Sequence, residues 1–325
     1  MKKLSIIFRI VLCALIVSAS SLTVFADETV EDEKAKVSSP ALQISPVTAR
    51  ISLDPSQVLE KSFEVKNTGS EPFEFRVYAT PYSTKDNHYN LDFETETNYT
   101  QISRWIKFFD ADENLADEAK FNLLSGETKT VRYQITVPED VAGGGQYASI
   151  FAETTTDEVQ GSGIKTVSRA GLIVYASMSG ETRREVKIGD MSLDSFLFGG
   201  NVNIHANVEN TGNIDFQTST EITIKSIFGK ELYTNTTIST LLPETKRQLD
   251  TEWSNTPIYG LFRLHYKLSA LGTEMESEHL ILVMPPYMLI ITIVLLKCTI
   301  IVLVAYIRKK KANGNKGEKC EILYS

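Results

Sequence analysis

From Ala41 to Pro285 the dominant pattern is alternation of apolar and polar residues. In "NVNIHANVENTG", Val202, Ile204, Ala206 and Val208 alternate with Asn203, His205, Asn207 and Glu209. In "KSFEVKNTG", Phe63 and Val65 alternate with Glu64 and Lys66. A period of two sends successive side chains to opposite faces, so both stretches predict half-buried strands. "ARISLD", "FEFRVYA", "GQYASIFAETT", "AGLIVYASM", "TEITIKSIF" and "FRLHYKLSAL" read the same way. No stretch between residue 26 and Pro285 carries a convincing helical period. Short strands recurring at roughly ten-residue intervals predict a sandwich or barrel.

The pattern also repeats. V-x-N-T-G-x-x-x-F occurs at Val65–Phe73 and again at Val208–Phe216. Each copy follows an alternating strand and precedes another, so Asn-Thr-Gly reads as the corner between them. Asn and Gly suit such a corner because both tolerate positive φ. A second echo follows in the same order, "LLSGETK" from Leu123 and "LLPETK" from Leu241. The first copy is longer between its two echoes, and the polar segment Ser83–Ser103 is the natural insertion. The fold class expected is all-β, with two Ig-like β-sandwich domains in tandem over residues 41–181 and 184–282.

The flanks differ. Residues 1–26 read as a signal peptide, with basic Lys2, Lys3 and Arg9, an apolar stretch and a small-residue cleavage site at Ala26. Residues 27–40, charged and aperiodic, read as a flexible linker. Residues 285–307 read as a single transmembrane helix with one charge, Lys297, and 308–325 as a cytoplasmic basic tail opening with Arg308 and three lysines. Lys297 is either a tolerated polar residue or a pairing site for an acid on a partner helix. Together these predict a single-pass type I protein of the cell membrane, ectodomain outside.

Charge and cysteine usage narrow the function. Residues 27–284 hold 39 acidic and 23 basic side chains, a net charge of −16. That excludes nucleic acid and other polyanions as the main ligand. The three cysteines, Cys13, Cys298 and Cys320, all lie outside the ectodomain, so its folding rests on burial alone. No catalytic motif is present, and His88, His205, His265 and His279 have no metal-ligand spacing. The expectation is no enzyme, no cofactor and no metal. Tyr82, Tyr89 and Tyr99, in or beside the insertion, are the candidate ligand-binding residues. Tyr147 joins them, in "GGGQYASIF". That stretch reads either as a glycine rim open to a ligand or as a hairpin with Tyr147 packed inward. Trp105 reads as core.

A leader, a module with "VKNTG" and "SGETKTVRYQITVPEDVAGGGQYASIFAE", a second module, a membrane helix and a basic tail resemble the WxL-interacting proteins of Gram-positive bacteria. That resemblance implies an N-terminal peptidoglycan-binding Ig-like domain, a second Ig-like domain and a membrane anchor. It also implies that the ectodomain holds surface proteins at the wall. The function expected is a membrane-anchored protein that binds peptidoglycan or scaffolds other surface proteins. The alternative is a chaperone-like assembly protein that docks clients by β-strand addition. The two differ in what they need: an exposed aromatic groove for the first, a long unpaired edge strand for the second.

Overall fold

The computed structural model describes residues 42–155 and 167–321. The expected signal peptide and linker lie outside the described residues, as do the last four residues of the tail.

The alternating stretches form strands, and the strands form two sandwiches. The first contains β1 (Leu42–Ser45), β2 (Thr48–Leu53), β3 (Val58–Asn67), β4 (Phe73–Pro81), β5 (Ser83–Thr84) and β6 (Leu91–Asp92). A helical turn, α1 (Ile102–Trp105), follows. Then come β7 (Ile106–Phe109), β8 (Leu115–Ala116), β9 (Glu118–Leu123), β10 (Thr128–Thr136), β11 (Gly144–Thr155) and β12 (Arg169–Met178). One sheet runs β1-β3-β10-β7-β8 and the facing sheet β2-β12-β11-β4-β9.

The second sandwich contains β13 (Val186–Leu193), β14 (Phe196–Leu197), β15 (Val202–Asn210), β16 (Phe216–Ser226), β17 (Glu231–Leu241), β18 (Lys246–Trp253), β19 (Gly260–Ala270) and β20 (Thr273–Val283). Its sheets run β13-β15-β18 and β14-β20-β19-β16-β17. The second of these matches the first sandwich strand for strand, down to the parallel pairs β2–β12 and β14–β20. Each sandwich has its own core. Phe63, Phe75, Phe108 and Tyr133 fill one, and Trp253, Phe262, Leu264 and Tyr266 the other. Both inner faces carry the apolar half of the alternation, which is why the sequence pattern found them.

The repeated corner has one structure in both copies. Asn67 and Asn210 are fully buried. Asn67 Nδ2 donates to the Glu71 and Leu123 carbonyls at 2.8 and 3.3 Å, and its Oδ1 accepts the Gly69 N–H at 2.9 Å. Asn210 Nδ2 donates to Ile214 and Leu241 at 2.9 and 3.3 Å, and its Oδ1 accepts the Gly212 N–H at 2.9 Å. The two echoes therefore meet in space, the amide of the first bonding the leucine carbonyl of the second.

Their chemistry differs from the expectation. Neither Asn-Thr-Gly corner uses positive φ. Asparagine is there as a side-chain clamp that satisfies buried backbone groups. At Gly212 the reason is space, since a Cβ would lie 2.2 Å from the Arg183 carbonyl oxygen.

Two boundaries also move. The extra segment of the first sandwich runs past Ser103 and carries β5, β6, α1, β7 and β8 between β4 and β9. Its equivalent in the second sandwich is the short β16–β17 turn. The C-terminal helix, α2 (Pro286–Glu321), continues beyond Ile307 into the basic tail. Its apolar part, Pro286–Arg308, is 23 residues long and is a candidate membrane span. Trp105 is buried in the first core, as expected.

Candidate functional site

The four candidate tyrosines converge, though not on open surface. They lie where the first sandwich meets the second. Tyr82 and Tyr147 are 5% and 1% exposed and pack on Leu242, with Tyr89, Tyr99, Phe93 and Tyr175 around them. Tyr89, at the tip of the insertion, accepts the Leu242 N–H at 2.7 Å, and the Arg247 guanidinium sits 4.1 Å over its ring. Tyr99 donates to Glu244 at 2.8 Å. The Gln248 N–H on β18 donates to the Asn87 carbonyl at 2.7 Å. The insertion is thus a clasp on the second sandwich.

Tyr147 is the hub. Its hydroxyl donates to Asp215 Oδ1 at 3.1 Å and accepts the Asp215 N–H at 2.8 Å. Arg50 donates to the other Asp215 oxygen at 2.8 Å, its guanidinium 4.5 Å over the Tyr175 ring. Burial, then the Asp215 carboxylate, push the Tyr147 phenol far above its ordinary range. Burial likewise raises Tyr89 to about 12. Tyr99 also stands at about 12, through burial and then its bond to Glu244. Every shift favours the neutral phenol, so these groups hold their protons as structural donors.

The glycine stretch before Tyr147 resolves in the same way. A Cβ on Gly143 would lie 2.6 Å from the Glu181 backbone nitrogen. One on Gly144, at φ +131°, would lie 2.7 Å from the Asn213 carbonyl oxygen. The Gly145 N–H donates to that oxygen at 2.8 Å. Asn213 Nδ2 donates to Gly143 and Glu181 carbonyls, and its Oδ1 accepts the Arg183 N–H at 2.6 Å. The glycines do admit approaching backbone, and that backbone is the second sandwich with its linker. A cleft of about 270 Å³ remains beside this junction, lined by Tyr82, Tyr99, Tyr147, Asp92, Asn98 and Glu244 among others.

The second candidate feature is an edge that no motif announced. β17 pairs with β16 along its length, from Phe216↔Leu241 to Lys225↔Glu231. Among the described residues no strand pairs with its other side. After Glu231 it reads "LYTNTTISTL", without a charge, proline or glycine. Ile238 and Leu232 are exposed on it. The other edges are blunted as edges usually are. β1, β8 and β14 have four residues or fewer. β2 and β9 are six residues long, the first with Arg50 and the second with Glu118 and Lys120, and β20, open beyond its two-residue pairing with β14, carries Glu274, Glu276 and Glu278. β13 carries an irregularity between Ile188 and Met191. β18 alternates with Lys246, Arg247, Asp250 and Glu252. The signal for β17 lay in the sequence as its missing charges, and it shows only once the sheet order makes the strand an edge.

No family model matches the chain, and no curated protein matches it in sequence. Among solved structures it is similar to the chaperone–tip adhesin complex of CFA/I fimbriae, with 14% identity over 75% of this chain and 99% of that one, TM-score 0.37. The class 5 fimbriae chaperone CfaA gives 13% identity, 75% and 100% coverage and the same TM-score. The E. coli chaperone DraB gives 11%, 74%, 97% and 0.34.

Proposed function

We propose that this chain is a membrane-anchored surface protein that holds other surface proteins by taking an extended segment of each onto β17 as an added strand. The carrying observation is β17 itself, a long, uncharged edge left unpaired in a molecule whose other edges are short, charged or irregular. Main-chain hydrogen bonds along such an edge supply affinity, and alternate side chains supply selectivity. The clasped junction supports this reading, because hydrogen bonds to the first sandwich tie down the domain that carries the edge. The resemblance to WxL-interacting proteins implies an ectodomain that holds surface proteins at the wall, and it does not itself point to strand addition. In this reading α2 crosses the membrane, with the sandwiches outside and Arg308–Lys311 inside.

The test is a photo-crosslinking residue at Thr236, on the exposed face of β17, in intact cells. Adducts should map to an extended, alternating segment of a surface protein, and Ile238→Lys should abolish them. Adducts that survive Ile238→Lys, or that scatter over unrelated sequences, would overturn the reading.

The junction cleft favours a second reading, in which a peptidoglycan fragment enters beside Tyr82, Tyr99 and Tyr147. Wild-type protein that pellets with purified wall, and Tyr99→Ala protein that does not, would support it. Equal pelleting would retire the cleft as the contact.

A further inference from the structure

One end of the second sandwich is apolar on its outside. Phe228 is 95% exposed, Ile258 68% and Tyr259 64%, and Phe198 and Ile227 are exposed beside them. These residues come from three separate connections. Phe198 follows β14, Ile227 and Phe228 lie in the β16–β17 turn, and Ile258 and Tyr259 precede β19.

Register places all three at one level. Leu197 pairs with Val283, Gly260 pairs with Val283, and the Ile227 N–H donates to the Leu261 carbonyl. Val283 is the last residue of β20, so this is the end from which the chain leaves for α2. Only Met284 and Pro285 intervene, so Val283 and Pro286 stand three Cα steps apart, at most about 11 Å. The Met284 N–H is itself held by the Leu197 carbonyl at 2.8 Å, which leaves little slack.

From this geometry we infer that the end is a membrane-contact rim, its occupant the lipid surface that α2 enters. The inference rests on α2 being a membrane span. A bilayer's polar layer is roughly 5–8 Å deep on each side of the hydrocarbon. A rim at most about 11 Å from the first helical residue therefore stands in that layer or within about 3 Å of it. Its residue types fit the place. Aromatic rings favour the interface, and α2 opens with an exposed tyrosine of its own, Tyr287. Lys230 in the same turn, with Lys225 and Arg263 just behind, is exposed where phosphate groups would lie. Nearby Glu231 takes a bond from Thr234 and Glu252 one from Asn201, and both keep their charge. Scattered exposed apolar residues need no explanation, but a cluster from three loops at one level does. Seating the rim in lipid would fix the second sandwich, and β17 with it, at a set height above the membrane.

The test uses the full chain in phosphatidylcholine–phosphatidylglycerol liposomes, with Cys13, Cys298 and Cys320 replaced by serine. A fluorophore is placed at Lys230→Cys, at Asn255→Cys or, at the far end of the sheet, at Thr273→Cys. Nitroxide lipids should quench the first two labels and leave the third unchanged. Quenching at Lys230→Cys should be lost when Phe198, Phe228, Ile258 and Tyr259 are all serine, with the circular dichroism of the sandwiches preserved. Four outcomes would overturn the proposal. One is equal quenching at all three positions. Another is shielding that follows protein concentration rather than lipid, the mark of a second copy. A third is a chain that fails to float with the liposomes, which would also remove α2 as a span. The fourth is flotation without quenching, which would remove the rim alone.

Discussion

The two sandwiches share one strand order and one corner, yet their edges are finished differently. In the first, β7 pairs with β10 and β8 with β7, and β9 stops after six residues with a charge of each sign. In the second, the counterpart of β10 is β18, whose outer side meets no strand among the described residues, only the Asn87 carbonyl, the Tyr89 ring under Arg247 and His88 beside Asp250. The counterpart of β9 is β17, eleven residues long and bare on its outer side. The extra segment of the first sandwich covers its own sheet with β7 and β8 and grips its neighbour with Tyr89 and Tyr99. A shared fold thus carries one domain whose edges are blunted and one with a long bare edge. The division of labour lies at the edges, since the cores and corners are alike.

The largest effect is expected where the domains are alike. Asn67→Ala or Asn210→Ala would leave two carbonyls and one N–H without their buried partner. Each should cost its own sandwich about 3 kcal/mol, read by calorimetry. A loss well under about 1 kcal/mol in either would break the equivalence of the corners. At the junction, Gly144→Ala places a Cβ against the Asn213 carbonyl at a φ that side chains avoid. It should cost about 2 kcal/mol, separating the domains in small-angle scattering while both cores stay folded. On the open edge, Ile238→Lys should shift stability by no more than about 0.5 kcal/mol, because the side chain faces solvent. It should nevertheless weaken client capture tenfold or more, about 1.4 kcal/mol.

The smallest effect is electrostatic. Tyr99 titrates at about 12 in the fold, against about 10 in an unfolded chain. The native state binds that proton more tightly, so the contribution is full below about pH 10 and is lost as pH rises through about 12. Glu244→Gln should move the Tyr99 transition downward in a spectrophotometric titration and leave the melting temperature nearly unchanged. An unmoved transition would remove Glu244 as a cause.

Much of this fold was legible because alternation reports burial directly. Val202 to Val208 and Phe63 to Val65 announced their faces, and the two echoes announced two domains. The chemistry of the corner was not legible. Asn67 and Asn210 bond carbonyls 56 and 31 residues away, and no local preference encodes that distance. The tyrosines were found as a group and their surroundings were not. Tyr82, Tyr89, Tyr99 and Tyr147 do converge, on Leu242 and Asp215, which sit far along the chain in another domain. The open edge was hidden for a related reason. "LYTNTTISTL" resembles any polar strand until the sheet order shows that its outer side is vacant.

The central claim is that the second sandwich offers a long bare edge at β17, while the edge at β9 is too short and too charged to take a strand. Amide hydrogen exchange tests it most directly, on the full chain in liposomes, with and without a ten-residue peptide of alternating valine and threonine. The account predicts that the peptide slows exchange at residues 232–239 and leaves residues 118–123 unchanged. Exchange unaltered at β17, or slowed equally at β9, would contradict it.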